Sequence, residues 1–228
     1  DLAGAETGWP PSLHAEALAF ARERHLNITI HSSEPPDLEL ISDSLAHGAH
    51  RIGHGVRLDR DPTLDGDGQL VLGSLARFVL DRGIHLEMAP TCNTQIGAVA
   101  SVADHPLVPF LRAGFNVGVN TDNRLMSDVS PTGEMWALHS ECGIDWTEIG
   151  RLVENAIASS FAPLETRRRL LSEVVRPAYA TLAKAWATSL APYAGPMATT
   201  LTEKQIEGFH RDGFTVVPDF VDRDTCVG

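Results

Sequence analysis

The sequence lacks three features that would each define a class of protein. No hydrophobic run approaches the roughly 20 residues that a transmembrane helix needs. The three cysteines, Cys92, Cys142 and Cys226, are far apart and odd in number, so we expect neither a disulfide framework nor a Cys-x-x-Cys metal site. The chain opens on Asp1 without a signal-peptide pattern. These absences favour a reducing, cytoplasmic location, and the unusual start indicates a piece of a longer chain.

Basic residues are also scarce. The chain has 18 Lys and Arg residues against 30 Asp and Glu residues, which gives a formal net charge of −12 at pH 7. A surface of this sign repels phosphate backbones and anionic membrane surfaces. We therefore expect no nucleic-acid and no membrane partner, whereas a neutral nucleoside is not excluded.

A helix, a glycine or turn and a short apolar strand follow one another four times. The predicted pairs are helix 12–24 with strand 27–31, helix 37–47 with strand 50–56, helix 70–82 with strand 84–88, and a helix capped by Asp104 with strand 115–121. This alternation is typical of βα units in a parallel sheet. The fold class is therefore predicted to be α/β, and 43% hydrophobic residues are ample for its core.

The remaining chain is predicted to be helical up to a domain boundary. We expect helices over 132–142, 145–159 and 163–190, with Asp145 and Glu148 forming a capping box. A Gly-Pro dipeptide then marks a linker. We predict a first domain over 1–193, a linker over 194–200, and a short α/β segment over 201–228.

Reactive side chains follow three of the predicted strands. The first strand runs into His31 and Glu34, the second into His54, and the fourth into Asp122. The carboxyl ends of parallel barrel strands meet on one open face, where active sites lie. A structural histidine, a turn histidine or a solvated turn carboxylate would each explain one residue alone. Their shared position favours a metal-assisted hydrolytic site instead, while Glu87 is predicted either to hydrogen-bond in the core or to contact substrate.

Five motifs lie at or near the predicted strand ends: Asp1-Leu-Ala-Gly-Ala-Glu6, His31-Ser-Ser-Glu34, Arg51-Ile-Gly-His-Gly-Val56, Pro90-Thr-Cys-Asn-Thr-Gln-Ile-Gly97 and Asn120-Thr-Asp-Asn123. Together they resemble the adenosine deaminase family of metal-dependent amidohydrolases. The resemblance runs from Asp1 to about Ala187. It implies the C-terminal half of a TIM (β/α)8 barrel with additional C-terminal helices, one catalytic Zn²⁺ and a purine nucleoside substrate.

The resemblance also implies a role for individual residues. His31 and Asp122 would be zinc ligands, and Glu34 would protonate purine N1. His54 would orient the attacking hydroxide, and Gly4 would contact purine N3 through its backbone. The predicted reaction is hydrolytic deamination of adenosine to inosine and ammonia, a step of purine salvage.

The chemistry of these residues suits that reaction without the family. Zinc lowers the pKa of bound water from 15.7 to about 7 and so provides a nucleophile at neutral pH. Attack at C6 moves electrons onto N1, so that an acid near N1 lowers the barrier. Glu34 can keep its proton in a pocket of low dielectric. Asp122 can both bind zinc and accept the proton of the hydroxide.

Two departures from the family pattern affect the prediction. Asn123 stands where the family commonly has an acidic residue, and its amide would donate to purine N7, which leaves another 6-aminopurine possible as substrate. The family's His-x-His zinc ligands on the first strand have no counterpart here, because the resemblance begins at the end of the fourth strand. A catalytic zinc site normally has three protein ligands. A non-catalytic half-barrel, inactive and poorly soluble on its own, therefore remains the second alternative.

The C-terminal tail resembles another family. Residues 197–228, and Leu201–Phe220 above all, resemble the opening helix and strand of phytanoyl-CoA dioxygenase-like proteins. His210 and Asp212 imitate the His-x-Asp of an iron(II) site, but they belong to the opening helix, and the distal histidine has no counterpart. We expect no dioxygenase activity, and a join between two neighbouring reading frames explains the tail.

Overall fold

The structure, a computed structural model, describes residues 1–35, 37–64 and 70–190. The chain divides into two compact units, Asp1–Trp186 and Ala187–Gly228. Of the second unit only residues 187–190 are described, so that the predicted linker over 194–200 and the tail over 201–228 lie outside the described residues. Within the described ranges, no helix has both the length and the apolar character that crossing a membrane requires.

Four parallel strands form the central sheet of the first unit. Their spatial order is β1-β2-β5-β6, and two further strands, β3 and β4, form a small antiparallel pair. The strands are β1 Thr29–Ser32, β2 Arg51–His54, β3 Thr63–Leu64, β4 Leu70–Val71, β5 His85–Met88 and β6 Val117–Val119. All four predicted parallel strands are present, although each is shorter than predicted.

Helices separate the strands along the chain and continue after the last one. The α-helices are α1 Ala15–Glu23, α2 Glu39–Ala46, α3 Ser74–Arg82, α4 Pro90–Gln95, α5 Leu107–Arg112, α6 Arg124–Ser127, α7 Pro131–Cys142, α8 Trp146–Ser159, α9 Leu164–Arg169 and α10 Arg176–Leu190. The turns Pro11–His14 and Val56–Arg60 are 3₁₀-helical, and Leu170–Val175 is a π-helical stretch between α9 and α10.

Helix boundaries differ from the prediction where local pairing or capping decides them. Helix α3 begins at Ser74 and not at residue 70, because Leu70 and Val71 pair with the preceding strand. Asp104 does not cap α5, since its carboxylate accepts from Ser101 Oγ at 2.7 Å. The capping box of α8 is confirmed: Asp145 Oδ1 accepts from the Glu148 amide at 2.8 Å.

A row of aliphatic side chains crosses the sheet and anchors the core. Ile30, Ile52, Leu86 and Val117 occupy equivalent positions on the four strands, and all are fully buried. Complete burial of such a side chain contributes about 1.5–3 kcal/mol to the stability of the fold. Because side chains alternate along a strand, the next residue of each strand points to the opposite face of the sheet.

The outer edge of β1 carries one more element. Leu2 bridges to Ile30 in parallel, with its amide donating to the Thr29 carbonyl at 2.9 Å and its carbonyl accepting from the His31 amide at 2.9 Å. The first residues of the chain therefore lie beside β1 where a preceding strand end would lie. This position agrees with a resemblance that begins at the end of the family's fourth strand.

Candidate active site

Three residues of the second row across the sheet, His31, Gly53 and Glu87, line a cavity. His31, Gly53, Glu87 and Gly118 are the equivalent residues one position after the aliphatic row. A side chain on Gly53 would come within 3.1–3.3 Å of His31, so the glycine leaves room for the imidazole. The cavity has a volume of about 280 Å³, and its lining residues are His31, Gly53, His54, Glu87, Ala89, Asn120, Thr121 and Asp122.

The backbone is strained where the strands enter this site. Ser33 has a φ of 73°, His54 of 62° and Asp122 of 51°, although none of them is glycine. A residue with a side chain in this left-handed region costs about 1–2 kcal/mol. Such strain concentrates at functional sites, where the surrounding structure holds the residue in place. Ser33 follows β1, His54 is the last residue of β2, and Asp122 lies shortly after β6. These are the same strand ends that the sequence singles out.

Three of the predicted site residues bring metal-binding atoms together. One ligand atom each from His31, His54 and Asp122 lies within 4.8 Å of the other two. Two donor atoms on a tetrahedral zinc, each about 2.1 Å from it, are about 3.4 Å apart. Imidazole and carboxylate are ordinary zinc ligands. The donor set therefore fits zinc in kind.

Glu34 and His54 form a pair in this group, in which the histidine is buried and the glutamate is partly exposed. His54 Nε2 lies 3.2 Å from Glu34 Oε1, and the imidazole is only 3% exposed. Burial, with a further contribution from His31, lowers the pKa of His54 to about 4. Burial, reinforced by the charges of Glu6 and Asp122, raises the pKa of Glu34 above its usual value. The pair therefore favours a neutral imidazole beside a carboxyl group that holds its proton more tightly than usual.

Asp122 has one oxygen engaged by neighbouring donors. Its Oδ2 accepts from Cys92 Sγ at 2.9 Å and from Asn123 Nδ2 at 3.1 Å. Burial, with the charge of Asp122, raises the pKa of the Cys92 thiol to about 12, so the sulfur remains protonated and acts as a donor. Glu34, Cys92 and Asp122 also offer ligand atoms within 4.8 Å of one another. A thiol with a raised pKa is a poor metal ligand, because thiolate is the form that binds.

Two predicted substrate contacts lie apart from this cavity lining. Gly4, with a φ of 141°, borders a separate, smaller cavity that also includes Glu6 and His31. Asn123 is exposed, and its amide donates to Asp122 and to Cys92 Sγ at 3.7 Å, while its Oδ1 accepts from Ser127. For the Asn123 side chain to contact a purine, one of these hydrogen bonds would have to be replaced by a bond to the purine.

Glu87 has a hydrogen-bonded partner and also borders the cavity. Its carboxylate forms a 2.6 Å ion pair with Arg51 and also borders the cavity. The Arg51 guanidinium in turn lies 3.9 Å from the centre of the Phe161 ring. The side chain of Glu87 is thus held by a packed cation and faces the space that a ligand would occupy.

Three further polar residues belong to the site although the sequence assigned them no role. Glu6 accepts from the Ser33 amide at 2.6 Å and so shapes the turn that carries Glu34. Asn93 Nδ2 lies 3.2 Å from His54 Nδ1. Asn120 Nδ2 is buried at the cavity, without a hydrogen-bond partner among the described residues. All three residues lie inside the motifs quoted above, and this was the signal that could have identified them.

A family model for adenosine deaminase matches residues 1–177 of the 228. The chain belongs to the adenosine deaminase family. It is 46% identical over 184 residues to a protein named adenosine deaminase from Mycobacterium sp. (strain KMS), a match that covers 80% of this chain and 51% of the relative. The chain therefore spans about half the length of the curated relative.

Solved structures show the same fold. An adenine deaminase from Arthrobacter aurescens matches with a TM-score of 0.67 at 26% identity, over 82% of this chain and 51% of the other. An amidohydrolase from Burkholderia ambifaria, crystallised with bound Zn, matches with a TM-score of 0.70 at 19% identity. This match covers 82% of this chain and 49% of the other. The α/β sheet and its helices are thus half of a deaminase-type TIM barrel, as the sequence predicts.

Proposed function

We propose that this chain forms the C-terminal half of a zinc-dependent enzyme that hydrolyses adenosine to inosine and ammonia, a reaction of purine salvage. The observation that carries the proposal is the convergence of His31, His54 and Asp122 at the ends of three parallel strands, with Glu34 paired to His54. Family membership supports deamination in general. The choice of adenosine follows the names of the curated relatives.

The proposed zinc ligands of this half are His31 and Asp122. When bound, zinc supplies a nucleophile at neutral pH by lowering the pKa of a water molecule. His31 Nδ1 lies 3.2 Å from Asp1 Oδ1, which leaves Nε2 as its second ring nitrogen for a metal. The bonds from Cys92 and Asn123 fall on Oδ2 of Asp122, so Oδ1 is the oxygen that carries neither of them.

Glu34 is the proposed acid for purine N1. Its raised pKa keeps a larger protonated fraction near neutral pH than an exposed glutamate has. One oxygen faces His54, and the protonated oxygen is then free to donate to the ring nitrogen. General acid catalysis of this kind contributes about 10²–10⁴-fold to a rate.

His54 and the side-chain and backbone amides near the cavity are proposed to orient the reacting groups. The imidazole of His54 stays neutral at physiological pH because its pKa is lowered to about 4. It can therefore donate one hydrogen bond without adding a charge to the site. Asn120 offers an unpaired amide donor to a bound molecule, and Gly4 and Asn123 are the proposed contacts with purine N3 and N7.

A second candidate reaction is deamination of another 6-aminopurine. Asn123 weakens the case for adenosine, and a structural neighbour at 26% identity is named an adenine deaminase. The alternative from another class is a non-catalytic half-barrel. The described residues offer two proposed zinc ligands, whereas a catalytic zinc site has at least three.

A chimera separates these possibilities. The matching half of the mycobacterial relative, which covers 51% of that protein, is replaced by residues 1–193 of this chain. Turnover of adenosine, adenine and bulkier 6-aminopurine nucleosides is followed by the change in ultraviolet absorbance. Bound zinc is counted per chain, and the unfused chain is measured alongside. We expect turnover of adenosine above the others by the chimera and none by the unfused chain.

Matched variants distinguish catalysis from loss of fold. Glu34→Gln in the chimera should lower kcat by about 10²-fold or more, because the acid for N1 is removed. Glu23→Gln, an exposed position on α1, should leave kcat unchanged. A folded, zinc-containing chimera without turnover of any aminopurine would support the non-catalytic half-barrel. Preference for adenine would support the second reaction.

A further inference from the structure

Both ring nitrogens of His54 have a partner, so that its neighbours decide its tautomer. Nδ1 lies 3.2 Å from Asn93 Nδ2, and Nε2 lies 3.2 Å from Glu34 Oε1. His54 and Asn93 are buried, at 3% and 0% exposed. Buried polar atoms at hydrogen-bond distance must pair a donor with an acceptor, because an unmatched pair costs free energy. The orientation of the Asn93 amide therefore determines where the proton of His54 resides.

His105 fixes the orientation of Asn93. The Leu107 amide donates to His105 Nδ1 at 3.1 Å, which requires a bare nitrogen there. Burial lowers the pKa of His105 to about 3, so the neutral ring carries its one proton on Nε2. That nitrogen lies 3.1 Å from Asn93 Oδ1 and donates to it. An inverted Asn93 amide would set two donors against each other, so its Nδ2 faces His54.

We infer that Asn93, oriented by His105, is a positioning residue that holds His54 as the Nε2–H tautomer, directed at Glu34. Asn93 Nδ2 donates to His54 Nδ1, so this nitrogen is bare and the single proton of the neutral ring is on Nε2. With Nδ1 occupied and Nε2 protonated, His54 has no lone pair to give to a metal ion. It is therefore a hydrogen-bond donor in the site and not a third ligand beside His31 and Asp122.

This assignment divides the three clustered residues into two kinds. His31 and Asp122 keep lone pairs for a metal, whereas His54 keeps a proton for an oxygen atom. In the proposed deamination, that proton is directed at Glu34 Oε1 and orients its carboxyl group. The catalytic consequence rests on the proposed function, but the tautomer itself follows from the hydrogen bonds alone.

A second histidine–asparagine pair in the protein has the reverse hydrogen-bond direction and serves as a comparison. His85 Nδ1 lies 2.8 Å from Asn116 Oδ1, and Asn116 Nδ2 donates to the Gly83 carbonyl and to Ser159 Oγ at 2.8 and 2.9 Å. The oxygen of Asn116 therefore accepts from His85, which must be the Nδ1–H tautomer. The two buried histidines His54 and His85, each paired with an asparagine, are thus expected to carry their protons on different nitrogens.

Nuclear magnetic resonance tests the assignment directly on the full chain. Histidine is labelled with ¹⁵N, and long-range ¹H–¹⁵N correlations distinguish protonated from bare ring nitrogens. The His54 signals are identified by their loss in His54→Gln. We expect Nε2–H for His54 and Nδ1–H for His85. Asn93→Asp replaces the amide donor by an acceptor and should move the His54 proton to Nδ1, whereas Asn116→Asp should leave both histidines as they are.

The outcomes separate the tautomer from the catalysis. Nδ1–H or a protonated ring at His54 in the unmodified chain would overturn the assignment, and so would an unchanged His54 in a folded Asn93→Asp. If that variant does not fold, the unmodified spectrum alone decides. In the chimera described above, Asn93→Asp should lower kcat by about 10²-fold with KM retained. A normal kcat together with an exchanged tautomer would refute the catalytic role and keep the assignment.

Discussion

Acid should destabilise this protein through His105. Its side chain is 1% exposed, and burial, with the nearby His54, lowers its pKa to about 3. Both ring nitrogens are already engaged, since Nδ1 accepts from the Leu107 amide and Nε2 donates to Asn93. A proton on Nδ1 would remove the acceptor of the Leu107 amide at the start of α5. The folded state therefore resists protonation of this ring.

The size of the effect follows from the two pKa values of His105. Its pKa in the unfolded chain is about 6.5, so between pH 6.5 and 3 the unfolded chain binds more protons than the folded protein. The free energy of unfolding then rises with pH. The contribution of His105 is fully present above pH 6.5 and is lost progressively as the pH falls toward 3. At pH 5 the loss is about 2 kcal/mol, at 1.36 kcal/mol per pKa unit.

Urea unfolding at pH 7 and pH 5, followed by tryptophan fluorescence, measures this loss. His105→Asn keeps an acceptor for the Leu107 amide but does not titrate. Between the two pH values it should lose about 2 kcal/mol less stability than the unmodified chain. Carboxyl groups with raised pKa values, such as Glu134, also make stability depend on pH. Their contributions cancel in this comparison because both proteins carry them.

A matched control shows whether any buried polar defect has the same effect. Ser44→Ala removes a fully buried hydroxyl that is hydrogen-bonded to Ser32 and introduces no titrating group. It should lower stability equally at both pH values. Equal losses from pH 7 to pH 5 in His105→Asn and in the unmodified chain would refute the reasoning.

Four other substitutions test the fold and the proposed metal site. Asp145→Ala should lower the free energy of unfolding by about 1 kcal/mol in urea titrations, because the Glu148 amide loses its cap. His25→Gly should raise it by about 0.5–1 kcal/mol, since His25 is exposed at a φ of 56° that glycine adopts without strain. Zinc titration calorimetry should show weaker binding in His31→Ala and unchanged binding in His54→Gln, and the reverse order would contradict the separation of ligand from donor.

The fold was predictable from local sequence because each βα unit carries its own signals. Gly83 ends α3 in the left-handed conformation, at a φ of 60°, and the apolar strand follows at once. The capping box at Asp145 is equally local. The predicted helix boundaries were wrong where a partner elsewhere in the chain or the turn itself determined the structure. Leu70 and Val71 are an example, because their pairing with Thr63–Leu64 shortens a helix that periodicity alone would extend.

The candidate site was predictable in part, for a related reason. Parallel strands bring their carboxyl ends to one edge, so His31, His54 and Asp122 had to converge once their strands were recognised. The hydrogen bonds between the side chains of the site could not be predicted, because partners such as Asn93 and His54 are 39 residues apart in the sequence. Only the three-dimensional packing shows that this asparagine donates to the histidine.

The tautomer of His54 bears directly on how the proposed zinc site would be completed. If His54 is held as a hydrogen-bond donor, His31 and Asp122 are the two proposed zinc ligands in the group around the cavity. A catalytic zinc has at least three protein ligands, so the proposed site would need at least one more from outside the described residues. The chain spans about half of its curated relative, and the other half of the barrel is where a further ligand would lie. On the proposed function, the position of one proton thus makes zinc binding depend on a second half-barrel.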